Sequence, residues 1–290
     1  MSSAPTVSVL TTVYNRAKFL GECIESVQQS KFKDYEHIIV DDGSTDDSID
    51  IAKRYAQEDP KIKVFINDRN LGDYPNRNQA AKHATGKYLK YLDADDMHSP
   101  YILDILVDCM EQFPQAGLGL FIHGKGCTHK AQCVSPQEAF ELHYSNGITI
   151  LNRSPLGAII SRSSFKTVGG FPDLQHVGDH ELWHRLASHY HIVLLPTNLA
   201  YYRVHDDQQS ADNRRDFRVP FKYFDAAIRG TNLEGQNVLS APFKSHITQI
   251  IRRKQARTIF VMIRRLKIRA ALTLQKQSKL GWMELWNNAK

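Results

Sequence analysis

A chain of 290 residues, 42% hydrophobic and 23% charged, has the size and composition of a globular protein that buries a full core. Its net charge of +6 is uneven: eleven of 37 Lys/Arg and no Asp or Glu lie between Gly235 and Met283, leaving 26 basic residues against 31 acidic ones elsewhere. Four scattered cysteines exclude a disulfide scaffold, the lack of a leader pattern makes a reducing cytoplasm the expected compartment, and the tail's longest apolar run, Ile259 to Ile263, is too short to span a membrane.

The first hundred residues alternate strand and amphipathic helix patterns, which predicts βαβ units and a mainly parallel sheet. A strand from Thr6 to Thr12 leads through a loop at Val13 to Arg16 into a helix with Phe19, Leu20, Cys23, Ile24 and Val27 on one face. The strand His37 to Val40 ends at Asp41 and Asp42, and GSTDDS supplies turn and capping chemistry for a helix through Ile49, Ala52 and Tyr55. After the strand Ile62 to Ile66, a polar loop contains a helix from about Pro75 to Ala84.

Then comes KYLKYLDADDM, Lys87 to Met97, a strand that runs straight into Asp93, Asp95 and Asp96. Carboxylates this close repel unless solvent or a cation neutralises them, and strand ends in open α/β sheets are where ligands bind. Mg²⁺ or Mn²⁺ facing a phosphorylated ligand is one reading; a solvated turn capping the next helix is the other. That helix covers about Pro100 to Phe113, followed by the strand-like Gly117 to His123. Gly124 to Asn152 is weakly periodic and reads as an inserted lid or substrate loop. Leu156 to Arg162 and His191 to Pro196 are further strands, Gly178 to Tyr190 a helix, and from about Ala241 the pattern is helical and basic.

No GxGxxG follows the first strand and no GxxxxGK[ST] occurs, so dinucleotide and P-loop readings lack their main support. Instead the ordered blocks TTVYNR, VDDGSTDDS, NLGDYPNRNQAA, YLDADD and ELWHRLA, across about Pro5 to Ser210, resemble the family 2 glycosyltransferases of GT-A fold. The resemblance implies that Tyr14 stacks on a nucleobase, that Thr12 and the neighbouring Val13 hold its edge, and that Asp42 accepts from a base imide, which favours uracil. An Asx turn competes for Asp42. Arg77 approaches base or diphosphate, with a surface salt bridge as the alternative.

Asp93 and Asp95 form the family's D-x-D: Asp95 coordinates metal, Asp93 bridges ribose and metal shell, and Asp96 stands behind them or caps the helix. The cation, Mn²⁺ or Mg²⁺, stabilises the departing diphosphate. In VGDHELWHRLA, Asp179 falls at the position of the catalytic base, although Gly178 replaces the family's usual Glu and Glu181 its second Asp. Glu181 is the reserve candidate and helix capping the competing role for Asp179. In YYRVHDDQQS, His205 completes the metal shell or touches diphosphate, and Arg203 pairs with phosphate or with the acidic cluster.

Three signals compete. His180 to His184, HELWH, matches the zinc-protease pattern H-E-x-x-H, but Ala187 and Tyr190 occupy the extended motif's Gly and His positions, and Leu182, Trp183 and Leu186 read as a core face. His123 to Cys133 gathers two His and two Cys at spacings unlike a structural zinc site. In the tail, Ile259, Ile263, Leu266 and Ile268 amid Arg264, Arg265, Lys267 and Arg269 read as an amphipathic helix, docked on an anionic membrane or on the acidic body. No nucleic-acid module is recognised.

The sequence therefore predicts an α/β GT-A fold, Rossmann-like with a mainly parallel sheet flanked by helices. A catalytic domain spans 1–235 (donor half about 5–100, acceptor half about 101–235) and a basic helical extension 236–290. The expected activity is inverting, metal-dependent transfer from a nucleotide-sugar, a UDP-sugar being favoured, to a hydroxyl of a glycan or lipid-linked acceptor, in the cytoplasm or peripherally on a membrane. A non-catalytic nucleotide-sugar-binding relative and a zinc protease are the alternatives.

Overall fold

The computed structural model describes residues 4–122, 130–196, 200–203, 218–232 and 238–289. The early alternation resolves into β1 (Val7–Val13), α1 (Ala17–Gln28), β2 (Tyr35–Asp41), α2 (Ser48–Glu58), β3 (Ile62–Ile66), α3 (Asp73–His83) and β4 (Tyr88–Tyr91). There follow β5 (Met97–His98), α4 (Ile102–Glu111), β6 (Ala116–Phe121), β7 (Gln132–Val134), α5 (Pro136–Tyr144), β8 (Ala158–Ser161), α6 (Arg162–Val168), α7 (Gly178–His189), β9 (His191–Leu195) and β10 (Ala200–Tyr201). The last described helices are α8 (Val219–Asn232), α9 (Ala241–Arg264), α10 (Ile268–Ser278) and α11 (Trp282–Ala289).

Among the described residues, eight strands form one sheet in the order β3-β2-β1-β4-β8-β6-β9-β7. β3, β2, β1 and β4 are parallel neighbours and β6 is parallel to β9, whereas β8 and β7 run the opposite way. α1, α2 and α4 cover one face through Leu20, Ile24, Ala52 and Leu106. On the other face α3, α5 and α7 bury Tyr74, Phe140 and Trp183. β1 lies between β2 and β4, so the chain reverses its direction of travel across the sheet beside β1. The crevice outside the carboxyl ends of these strands is where such a sheet binds ligands.

Three expectations change. α3 starts at Asp73 rather than Pro75, because Gly72 turns the chain at φ +91° and a proline is tolerated in a first helical turn. In the stretch expected to be a lid, residues 130–152 instead supply the edge strand β7 and α5, whose Ser135–Glu138 capping box and buried Ala139 and Phe140 tie it to the core. Elements this short leave little periodicity to read. The tail is not one amphipathic helix: it breaks at Arg265–Lys267, with Leu266 at φ +57°. Ile247 and Ile251 of α9 join the main core, and Ile259 is buried with Phe221, Ala271, Leu274 and Leu285. No helix among the described residues is long and apolar enough to cross a membrane.

At the amino ends of the central strands, buried Glu36 clamps four segments. It accepts from Ser8 Oγ at 2.7 Å, from Thr85 N at 2.7 Å and Oγ1 at 2.8 Å, and pairs with Lys63 at 2.7 Å. Gly86 completes the corner: a Cβ there would lie 2.6 Å from the backbone nitrogen of Ser8. Burial pushes the Glu36 carboxyl up, but these bonds outweigh it and hold it down to about 2. Because the folded value lies below the ordinary one, the stabilisation is complete above the ordinary carboxylate range and fades as pH falls toward the folded value. Glu36→Gln is expected to lose about 2–3 kcal/mol in urea unfolding at neutral pH, with the gap to the natural protein narrowing in acid.

Candidate active site

The site is built where β1, β2 and β4 end. After β1, Tyr14 is 48% exposed, and Asn15 turns the chain at φ +51° while its Oδ1 accepts from Thr45 N at 2.8 Å. Arg16 N donates to Ser48 Oγ at 2.9 Å, so this turn is pinned to the start of α2 as well as to the loop before it. Thr12 is partly exposed beside it, and the Val13 carbonyl accepts from Asp42 N at 2.8 Å.

The Asx turn after β2 belongs to Asp41, whose Oδ1 accepts from Gly43 N and Ser44 N at 3.0 and 2.9 Å. Asp42 is buried, with both oxygens engaged: Asn67 Nδ2 and Leu71 N donate to Oδ1 at 2.8 and 2.9 Å, and Gly72 N donates to Oδ2 at 2.9 Å. Asp42 therefore fixes the start of α3. The first turn of α3 in turn carries Asp73, Tyr74 and Arg77 into the crevice.

Arg77 is buried, not the surface pair considered above. Its Nε meets Asp73 at 2.8 Å and its Nη2 meets Asp93 at 2.7 Å, while Nη1 is buried without a hydrogen-bond partner. Burial opposes its charge, but Asp73 and Asp93 hold the guanidinium firmly protonated. Burial pushes the Asp93 carboxyl up against the pull of Arg77. Burial first and then the charge of Asp93 push Asp96 up to about 7, although it accepts from Arg203 N at 2.9 Å.

Asp95 is paired with Arg16 Nε at 3.1 Å. Arg203, carried by the β5–β10 pair, donates from Nε to the Asp95 carbonyl at 3.0 Å and pairs with Glu22, so it braces the acidic cluster from outside. His205 lies outside the described residues. Beneath the cluster, Lys90 is fully buried with Nζ on the Leu156 and Tyr91 carbonyls. Burial pushes it down to about 7 while Asp93 and Asp96 pull it up.

Across α3, Asp179 sits in the first turn of α7, where the helix dipole favours a carboxylate. Its Oδ1 accepts from Tyr74 Oη at 3.1 Å and His180 N at 2.7 Å. Burial raises its pKa to about 6, against these bonds and the charge of Arg77. Tyr223 of α8 faces the same turn, edge-on to His180 at 5.0 Å.

Gly178 has a physical reason: a Cβ there would come within 2.7 Å of the Tyr74 ring. Glu181 is ruled out as base, because it is fully buried and paired with Arg185 at 2.7 Å. His184 is held between the His180 carbonyl at 2.7 Å and Tyr144 Oη at 2.6 Å, so HELWH is core rather than a zinc site. Cys133 is described, whereas His123 and Cys127 of the other zinc candidate lie outside the described residues.

Among the described residues no three His, Cys, Asp or Glu converge on a metal position. Asp93 and Asp95 still suit a hard cation of the Mg²⁺ or Mn²⁺ kind, which takes one or two carboxylates and completes its shell with ligand phosphates and water. Arg16, Asp73, Tyr74 and Tyr223 were not singled out by the sequence; Tyr74 and Arg77, three apart within NLGDYPNRNQAA, were the available signal. Arg77→Gln leaves Asp73 and Asp93 without their cation. It is expected to cost about 3 kcal/mol in urea unfolding at neutral pH and less in acid, as the Asp93 carboxyl takes up its proton.

Residues 8–169 match the family model described as Glycosyl transferase family 2, so the match ends before Asp179. The chain is 36% identical over 126 residues to a putative glycosyltransferase, EpsE, of Bacillus subtilis, covering 42% of this chain and 45% of that protein. It is 36% identical over 107 residues to the uncharacterized glycosyltransferase YibD of Escherichia coli, covering 37% and 31%. It thus spans less than half the length of these relatives.

Among solved structures, S. aureus TarS 1–349 in complex with UDP aligns with a TM-score of 0.66 at 20% identity, over 87% of this chain and 71% of that one. The mannosyltransferase PcManGT from Pyrobaculum calidifontis, in complex with GDP-Man and Mn²⁺, aligns with a TM-score of 0.64 at 18% identity, over 99% and 79%. The shared architecture is the GT-A fold. Since the family match runs from β1 through the acidic cluster to the end of α6, more than half of the sequence, the chain belongs to glycosyl transferase family 2.

Proposed function

We propose that the protein transfers a sugar from a nucleotide-sugar, a UDP-sugar in the first instance, to an acceptor hydroxyl with inversion at the anomeric carbon. The observation that carries this reading is the Arg77 fork: a buried guanidinium spans Asp73 and Asp93 beside Asp95, at the carboxyl ends of the central strands where a diphosphate and its cation would bind. TarS with UDP and PcManGT with GDP-Man and Mn²⁺ support a nucleotide-sugar donor and leave two bases to distinguish.

Tyr14 would carry the nucleobase on its exposed ring, with Thr12 and Val13 at the base edge. Asp42 would act on the base directly or through the loop it fixes. Asp95 and Asp93 would hold a Mn²⁺ or Mg²⁺, with His205 in the same shell, and that cation would offset charge on the departing diphosphate. Asp179 accepts the proton of the acceptor hydroxyl as its oxygen bonds to the anomeric carbon. The nucleoside diphosphate leaves from the opposite side, taking the electrons of the broken bond. A glycan or lipid-linked acceptor suits the basic tail, in a cytoplasmic or peripheral membrane setting.

Titration calorimetry with UDP and GDP, each with and without Mn²⁺, tests the donor site. Metal-dependent UDP binding that Asp95→Ala abolishes is expected; no nucleotide binding under any condition sinks the transferase reading. Asp179→Asn is expected to cut transfer by about 10²-fold or more while nucleotide binding is kept; unchanged transfer removes Asp179 as the base.

Deprotonated Asp179 is the active form, so transfer should rise with pH through about 6. Tyr74→Phe removes a hydrogen bond that favours the ionised carboxylate. The acid limb of the pH–rate profile is therefore expected to move to higher pH in that variant, and an unmoved limb would separate the titration from Asp179.

A further inference from the structure

The three C-terminal helices show apolar surface on two sides. Their inner side is a small core in which Ile259, Ala271, Leu274, Leu280 and Leu285 enclose Phe221. Their outer side is also apolar. Leu266, at the corner between α9 and α10, is 84% exposed in a left-handed conformation that glycine or asparagine adopts more easily. Ile268 and Leu272 follow one turn apart on the outside of α10. On α11, Trp282, Met283 and Trp286 form an outward row, 50%, 79% and 57% exposed.

α11 is tied to α9 by two contacts. Arg252 lies 3.7 Å from Glu284, and Phe260 meets Trp286 at 6.1 Å between ring centroids. α11 therefore packs on the second half of α9, with Trp286 against Phe260, six residues before Leu266. Exposed Arg264, Arg265, Lys267 and Arg269 surround that corner. Apolar groups on this scale call for a partner. A second copy docking through this same surface would bring like charges together, since Arg264, Arg265, Lys267 and Arg269 all flank the corner. Nucleic acid would meet the cations and leave Leu266, Ile268 and Met283 wet.

We propose that this surface docks on an anionic lipid bilayer, with Leu266 and the α11 aromatics entering the interface and the corner cations meeting lipid phosphates. As an account of where a lipid-linked acceptor is met, it rests on the transferase reading; the surface itself does not. Ile247 and Ile251 anchor α9 in the main core and Ile259 lies in the tail's own small core, so the surface is preformed rather than a helix that folds on the membrane.

Two of the three tryptophans, Trp282 and Trp286, lie on the surface, so emission reports docking directly. The chain is sedimented with vesicles of phosphatidylcholine alone or mixed with phosphatidylglycerol, at low and high salt. The expected result is binding to the mixed vesicles only, with blue-shifted emission. Leu266→Ser combined with Ile268→Ser, or Arg264→Gln combined with Arg265→Gln, should each weaken it about tenfold or more, as should high salt, with UDP binding unchanged. All four positions are exposed, and a matching melting temperature confirms that each variant folds.

Failure to bind mixed vesicles overturns the proposal. So does a dimer that the same substitutions dissolve, or single-stranded RNA binding that survives loss of Leu266 and Ile268 while vesicle binding is absent. Vesicle binding without any nucleotide binding supports this surface and counts against the transferase reading instead.

Discussion

The crevice depends on one buried guanidinium. Asp73, Asp93, Asp95, Asp96 and Asp179 gather around the carboxyl ends of the central strands, and such a concentration of carboxylates does not stay ionised and buried without cations among them. Arg77 meets two of them directly, and its charge also acts on Asp179. Arg16 meets Asp95, Arg203 braces the backbone of the cluster, and Lys90 lies beneath it. The charges are close enough to balance that a divalent cation or a diphosphate arriving here would redistribute partners rather than enter empty space. Arg16 already occupies the Asp95 carboxylate, so a cation bound there would have to displace it.

That balance requires α3 to begin at one place. Asp42 secures it by accepting from Leu71 N and Gly72 N, which ties the end of β2 to the turn that launches the helix. A change at Asp42 would therefore move Arg77 as well as the end of β2. The Asp42 carboxylate is a pin between the end of β2 and the start of α3.

The alternating strands and amphipathic helices of the first half were legible because period-two and period-3.6 patterns persist over whole elements there. The acidic cluster was legible because three carboxylates after a strand have few structural uses. Less could be read where residues meet through space. Asp73 and Tyr74 looked like loop because a proline follows them, although a proline in the first turn does not stop a helix. The pairing of Arg16 with Asp95 spans 79 positions and leaves no local trace. The strand and helix of 130–152 are too short for a pattern, so that stretch reads as a loop, and a basic apolar mixture does not announce the break at Leu266, so the tail reads as one helix.

Gly178 shows how a departure from a family pattern can be read physically. A glutamate at that position would set a second negative charge beside Asp179 and raise its proton affinity further, beyond what burial already does. With glycine there, the Tyr74 ring packs into the space a Cβ would need, and its hydroxyl donates to the Asp179 carboxylate. A hydrogen bond to the ionised form works in the opposite direction from a neighbouring charge. For a group proposed to accept a proton near neutral pH, exchanging a carboxylate neighbour for a phenol keeps more of it ionised. Tyr74 and Gly178 are thus one feature: the missing side chain makes room for the hydroxyl that tunes Asp179.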